Sequence, residues 1–231
     1  MKKTAIITGA SRGIGMQTAK TLAEKEVQII AIARSKKPLR NLEQINPDLI
    51  TAVPTDLTDE ESVNDLVLLL EQNYDGIDIL INNAGALINK PFEDLTLDDW
   101  RSQIESNLIT AVHITQRLLN SFNKNSHVVN ISSMGGYQGS AKFPGLAAYS
   151  ASKGALSILS ECLATELSNH SISVNALCLG AVQTGMLEEA FPGFEAPVSA
   201  SEMGTYISEF ALTGHSFYNG KILPVSLTDP E

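Results

Sequence analysis

Thr4-Ala5-Ile6-Ile7-Thr8-Gly9-Ala10-Ser11-Arg12-Gly13-Ile14-Gly15 is the stretch that decides how the rest of the chain is read. The apolar and β-branched residues up to Thr8 predict a buried strand. The spacing of Ile14, Ala19, Leu22 and Ala23 predicts a helix behind it. The glycines therefore stand where a strand turns into a helix. Such a turn needs positive φ angles and bare backbone N–H groups, and a helix N-terminus aimed from it cradles a phosphate. The spacing is Gly-x-x-x-Gly-x-Gly, not Gly-x-Gly-x-x-Gly. No Gly-Lys-Ser/Thr follows, so it is not a Walker loop. An ordinary glycine-rich turn has the same letters, and the remaining residues must decide between the two.

At 231 residues the chain is long enough to bury a sizeable core as one domain, expected over 1–231. Its 43% hydrophobic and 18% charged residues are those of a globular protein. A net charge of −10 argues against nucleic acid or an anionic membrane as partner, and mildly against a strongly acidic carrier protein. Cys162 and Cys178 fall in apolar segments and read as small buried hydrophobes in a reducing compartment. The four histidines are scattered, so no metal site is expected. The apolar run after Met1-Lys2-Lys3 is too short for a signal peptide, and no stretch has the length of a membrane span. A cytoplasmic location is the expectation.

Val27–Ala33 reads as a second buried strand, followed by a basic loop, Arg34-Ser35-Lys36-Lys37-Pro38. In a doubly wound fold the end of that strand lies beside an adenosine ribose. A carboxylate there suits the 2′-hydroxyl of NAD. Arg34, with Arg12, Lys36 and Lys37 near, suits the 2′-phosphate of NADP, and a merely solvated basic loop is the plainer reading. Ile50–Pro54 is a third strand. Asp56 behind it could meet an adenine amino group or belong to the start of a helix capped by Thr58 or Asp59. Gly76–Ile81 is a fourth strand running into Asn82-Asn83-Ala84-Gly85. A long helical pattern spans about Leu97 to Phe122, with Asn107 inside it. Asparagine is unfavourable there, so it points either to function or to a surface position.

His127–Ile131 is a fifth strand ending at Ser132-Ser133. Tyr149 and Lys153 follow at i, i+4, sharing one face of a helix that is apolar nearly all round as far as Leu167. That helix and the one containing Asn107 are expected to build a homodimer or homotetramer. Ser173–Leu179 is a sixth strand, left by Gly180-Ala181-Val182-Gln183-Thr184. A mobile lid is expected at about 184–200, apolar at Met186, Leu187, Phe191 and Phe194 and acidic at Glu188, Glu189 and Glu195. A last helix (about Ser199 to Thr213) and strand (Lys221–Val225) close the fold. Pro224 suits a sheet edge.

Taken together and in order, Thr8–Gly15, Asn82-Asn83-Ala84-Gly85, Asn107, Ile131-Ser132-Ser133 and Tyr149-Ser150-Ala151-Ser152-Lys153 make the chain resemble the short-chain dehydrogenase/reductase family over nearly its whole length. The resemblance implies a single α/β domain, a doubly wound Rossmann-like sheet of about seven parallel strands with helices on both faces. It implies a nicotinamide cofactor, NADP(H) favoured over NAD(H), and a catalytic tetrad of Asn107, Ser133, Tyr149 and Lys153. The cofactor-binding residues it implies are Gly9, Ser11, Arg12, Gly13, Ile14 and Gly15, then Arg34, Ser35, Asp56 and Leu57. Asn83, Ala84, Gly85, Tyr149, Lys153, Gly180, Val182 and Thr184 complete the set. Three features depart from the family: Leu179 stands where a proline is usual, the gap from Ser133 to Tyr149 is longer, and Pro224–Glu231 lacks the usual glycine pair.

The expected chemistry is reduction of a carbonyl to an alcohol, or the reverse. Ser133 and Tyr149 bond the carbonyl oxygen, Tyr149 gives the proton, and Lys153 lowers the phenol from its ordinary pKa of about 10. Asn107 is expected to position a water. The substrate expected is a neutral or cationic, partly apolar small carbonyl compound. One subclass, a 3-oxoacyl chain on a carrier, is mildly disfavoured by the net charge. The alternative from another class is a non-catalytic NADP-binding sensor or scaffold.

Overall fold

The computed structural model describes residues 2–227. The chain runs β1 (Thr4–Thr8), α1 (Gly13–Glu24), β2 (Gln28–Ala33), α2 (Lys36–Glu43), β3 (Ile50–Pro54), α3 (Glu60–Asn73) and β4 (Ile77–Asn82). It continues with α4 (Leu97–Ile104), α5 (Thr110–Arg117), β5 (Phe122–Ser133), α6 (Ala147–Glu166) and β6 (Ile172–Leu179). The last part is β7 (Val182–Gln183), α7 (Gly185–Ala190), β8 (Val198–Ser199), α8 (Ala200–Thr213) and β9 (Ile222–Val225).

Seven parallel strands form one sheet in the order β3-β2-β1-β4-β5-β6-β9. The strands are apolar on both sides because both sides are covered. Ile7, Ile29, Ile81 and Leu177 pack against α1, α2 and α8 through Leu22, Leu39 and Ile207. Their neighbours in the two-residue period, Ile6, Ile30, Leu80 and Val128, pack against α3, α5 and α6 through Leu66, Ile114 and Ala164. The strand order reverses between β1 and β4, and a crevice opens there at the strands' C-terminal ends. β9 is an edge strand, which is where Pro224 is tolerated.

The structure corrects several local expectations. Residues 34–38 are not a basic loop: Ser35 is the N-cap and Lys36 already begins α2. The pattern from Leu97 to Phe122 is not one helix. It is broken at Glu105–Ile109 by a π-turn, in which the Thr110 N–H reaches Glu105 O five residues back, and Phe122 begins β5. The expected lid, 184–200, carries α7 and β8, and β8 pairs with β7 just before it. Cys162 is exposed; only Cys178 is buried. Of the unusual C-terminal run, residues 228–231 lie outside the described residues.

Candidate active site

The crevice is lined by backbone that two side chains, Thr8 and Asn83, hold in place. Thr8 Oγ1 accepts from the N–H groups of Asn83 (3.0 Å) and Ala84 (2.9 Å), while Asn83 Nδ2 donates back to Thr8 O (2.9 Å) and Gly9 O (3.3 Å). Gly9 sits at φ 68, and a Cβ there would lie 2.9 Å from Ala84 Cα. The loop therefore has no room for a side chain and no conformation for one. Gly13, at φ 57, opens α1, whose N-cap Arg12 makes no side-chain cap bond. The helix N-terminus is left facing the cavity.

One cavity of about 960 Å³ gathers most of the expected residues. Gly9, Ser11, Arg12, Gly13 and Ile14 line it, followed by Arg34, Ser35, Asp56 and Leu57 at the β2–β3 end. Asn83, Ala84 and Gly85 form its floor, Gly180, Val182 and Thr184 its far wall, and Asn107, Ser133, Tyr149 and Lys153 its inner end. Gly15 does not line it. Any Cβ there would run into Asn83 Nδ2 and Gly9 O, so its work is close packing behind the loop. Lys36 and Lys37 also lie off the cavity, exposed on the first turn of α2. Asp56 Oδ1 accepts from the Thr58 N–H and hydroxyl, and Asp59 caps α3.

A dinucleotide fits these residues. The positive-φ glycines clear the space, the uncapped α1 N-terminus suits a diphosphate, and the cavity runs on to Ser133, Tyr149 and Lys153.

The two adjacent serines at the end of β5 point to different work. Ser132 is buried: its hydroxyl donates to Lys153 O (2.8 Å) and accepts from Ser157 (2.9 Å), which binds β5 to α6. Ser133 faces the cavity, where its hydroxyl meets Tyr149 and accepts from the Gly135 N–H (3.1 Å). Lys153 is only 4% exposed and donates from Nζ to Ile131 O (2.7 Å); its burial lowers its pKa to about 8. Tyr149 does not have the lowered pKa expected of it. Burial raises it, the Ser133 bond pulls it partly back, and the Lys153 ammonium is spent on Ile131 O instead.

Asn107 lines the same cavity. It is a buried residue, not a surface one, and its side-chain amide is fully engaged. Ala86 N–H donates to its Oδ1 (2.9 Å), and its Nδ2 donates to Ala86 O (2.9 Å) and Ser152 Oγ (3.0 Å). It braces the strand-end loop as a paired strand would, at the point where the π-turn widens the helix. Sequence reasoning missed Thr8, Gln103 and Ser152. Gln103 lies one turn before Asn107 and is fully buried against it; that i, i+4 spacing was the available signal. Leu179, in place of a proline, continues β6 in register with Val225, and Gly180 N–H then bonds Val225 O (2.9 Å). The longer loop before Tyr149 folds on itself: Lys142 Nζ donates to Tyr137 O (2.6 Å) and Ser140 Oγ (2.7 Å), and Phe143 and Leu146 reach the cavity mouth.

Among the described residues, no group of three or more His, Cys, Asp or Glu side chains could hold a metal ion, and no helix is long and apolar enough to cross a membrane.

The family model for short chain dehydrogenases matches residues 3–193. An uncharacterized oxidoreductase of Staphylococcus aureus strain MW2 is 30% identical over 220 residues, 94% of this chain and 94% of that one. An oxidoreductase of Botryotinia fuckeliana is 33% identical over 187 residues, 80% of this chain and 67% of its own. The fold is that of a 3-ketoacyl-(acyl-carrier-protein) reductase from Brucella melitensis solved with NADH, with a TM-score of 0.88, 24% identity, and coverage of 97% of this chain and 96% of that one. With the fold, the glycine loop and these matches in hand, the chain belongs to the short-chain dehydrogenase family, oxidoreductases that work with a nicotinamide cofactor.

Proposed function

We propose that this protein is an NADPH-dependent reductase of a neutral, partly apolar carbonyl compound, working equally in reverse as an alcohol dehydrogenase. The observation that carries the reading is that Ser133, Tyr149 and Lys153 line the same cavity as the glycine loop and Arg34.

When bound, the nicotinamide supplies a hydride to the carbonyl carbon. The Ser133 and Tyr149 hydroxyls donate to the carbonyl oxygen as it gains negative charge, and that stabilisation is realised most in the transition state. Tyr149 then gives its proton to the oxygen. The reverse transfer is eased when Lys153 turns its Nζ from Ile131 O toward the phenol and the cofactor ribose. Asn107 holds Ala86, and with it the floor on which the reacting groups rest. Arg34 and Arg12 favour a 2′-phosphate, hence NADP over NAD.

The mouth suits a small, neutral or cationic substrate. Met186, Leu187, Phe191 and Phe194 line it, and Arg12, the cation of the glycine loop, is paired with Glu189. An acidic carrier protein would find little to hold, so a carrier-bound 3-oxoacyl chain fits less well. A sensor or scaffold would not need the converged Ser133, Tyr149 and Lys153. Leu97 and Ile109 on the α4–α5 side and Ile158 on α6 are exposed apolar residues, 72%, 39% and 56% accessible, which favours a homodimer or homotetramer through these helices. A cytoplasmic location fits this reading.

Tyr149→Phe tests the function. Turnover of neutral ketones is expected to fall by about 10²–10⁴ while NADPH binding is retained. Unchanged turnover would overturn the reading, and a clear preference of the wild type for keto acids would overturn the substrate class.

A further inference from the structure

The two arginines that line the cleft are held in different ways. Arg34 is exposed and has no carboxylate within ion-pair distance among the described residues. Arg12 gives Nη1 to Glu189 Oε1 at 3.0 Å, and the two side chains are 63% and 68% exposed. Glu189 comes from α7, at the lid, and α7 starts directly on the glycine loop. A Cβ on Gly13 would lie 3.5 Å from Thr184 Cγ2, and one on Gly185 would lie 3.9 Å from Arg12 Nη1. The start of α7 lies against the glycine loop, so Glu189, one turn further on, is within reach of the guanidinium.

We propose that Glu189 is a residue that sets cofactor specificity: it competes within the chain for Arg12 against the 2′-phosphate of NADPH, and leaves NADH unaffected. The inference rests on the NADPH reading above. A guanidinium has room for one well-placed anion along its fork, and a phosphate forms stronger charge-assisted bonds than a solvent-screened carboxylate. The phosphate therefore displaces Glu189, but binding is weakened by the ion pair it must break and by the negative charge left beside it. NADH carries no group that needs Arg12, so the pair stays closed beneath it. Arg34, with no competing carboxylate among the described residues, is open to the phosphate from the start.

The test is a fluorescence titration of the whole protein with NADPH and with NADH at one low salt concentration. Wild type, Glu189→Gln, Arg12→Ala and the double variant are compared. Both side chains are exposed, and a thermal melt checks that each variant is folded. Glu189→Gln is expected to tighten NADPH by about two- to five-fold, the range of an exposed ion pair, with NADH unchanged. The gain is expected to vanish when Arg12 is already alanine. An unchanged NADPH affinity, an equal gain for both cofactors, or a gain that persists without Arg12 would overturn the proposal. Arg34→Asp separates the two levels. If it weakens NADPH while Glu189→Gln does nothing, the Glu189 proposal alone has failed. If wild type does not distinguish the cofactors and Arg34→Asp changes nothing, the NADPH reading has failed with it.

Discussion

The glycine-loop side of the cleft and its catalytic side meet in one cavity but are built by different means. On the first, the main chain is the working part: Gly9 and Gly13 at positive φ, and Thr8 and Asn83 tying two strand ends to each other's backbone. On the second, side chains are the working part, and neighbours in sequence have opposite tasks. Ser132 is bound to Lys153 O and Ser157, while Ser133 faces Tyr149. The backbone side depends on its conformation and on the few side chains, Thr8 and Asn83, that fix it. A side-chain site tolerates neither a lost hydroxyl nor a misplaced one.

The adjacent serines give the largest contrast. Ser133→Ala is expected to lower kcat by about 10²–10³ with the fold intact, the loss typical of one donor to a developing oxyanion. Ser132→Ala is expected to reverse the pattern. It removes the link from β5 to Lys153 O and Ser157, which keep their bond to each other (3.1 Å), costing about 1 kcal/mol of stability in a denaturant titration, with kcat per folded molecule nearly kept. If Ser132→Ala proved the catalytic loss, the geometric division of the two residues would be wrong.

Gly9→Ala probes the backbone side. The added methyl meets Ala84 Cα and must also adopt φ 68. The expected cost is about 2 kcal/mol, or a melting temperature lower by about 4–8 °C. A variant as stable as wild type would show that the loop yields, and the comparison between a rigid backbone side and a side-chain side would lose its basis.

How legible each side was follows the same division. Glycines at a strand–helix turn and apolar runs of strand length announce themselves, because the backbone can satisfy them in few ways. The individual strands and the glycine loop are legible that way; the seven-stranded parallel sheet follows from the family resemblance. The break in the helix at Glu105–Ile109 was not legible, since it goes with a distant bond, Asn107 to Ala86, that local propensity does not encode. Nor was the Arg12–Glu189 pair, whose partners are 177 residues apart. The pKa of Tyr149 was misread because the reading counted the charge of Lys153 and left out its burial and its bond to Ile131 O.

The pH profile sharpens the catalytic side further. Lys153 titrates at about 8, lowered by burial. A lowered lysine pKa means that the ammonium is present below that pH and is lost above it. The kcat/KM for carbonyl reduction is therefore expected to hold below pH 8 and to fall by up to about tenfold per unit above it, since this parameter reports groups of the free enzyme. A profile flat to pH 10 would show that the charge of Lys153 is not used.

The most direct measurement is a titration of the purified protein with NADPH and, separately, NADH at fixed salt, repeated on Arg34→Asp. Tighter binding of NADPH is expected, lost by about ten- to a hundred-fold in the variant, as for removal of one charge-assisted contact. Equal binding of the two cofactors, or preference for NADH, would mean that Arg34 points only to water. Binding of neither would contradict the reading of the cleft as a nicotinamide site.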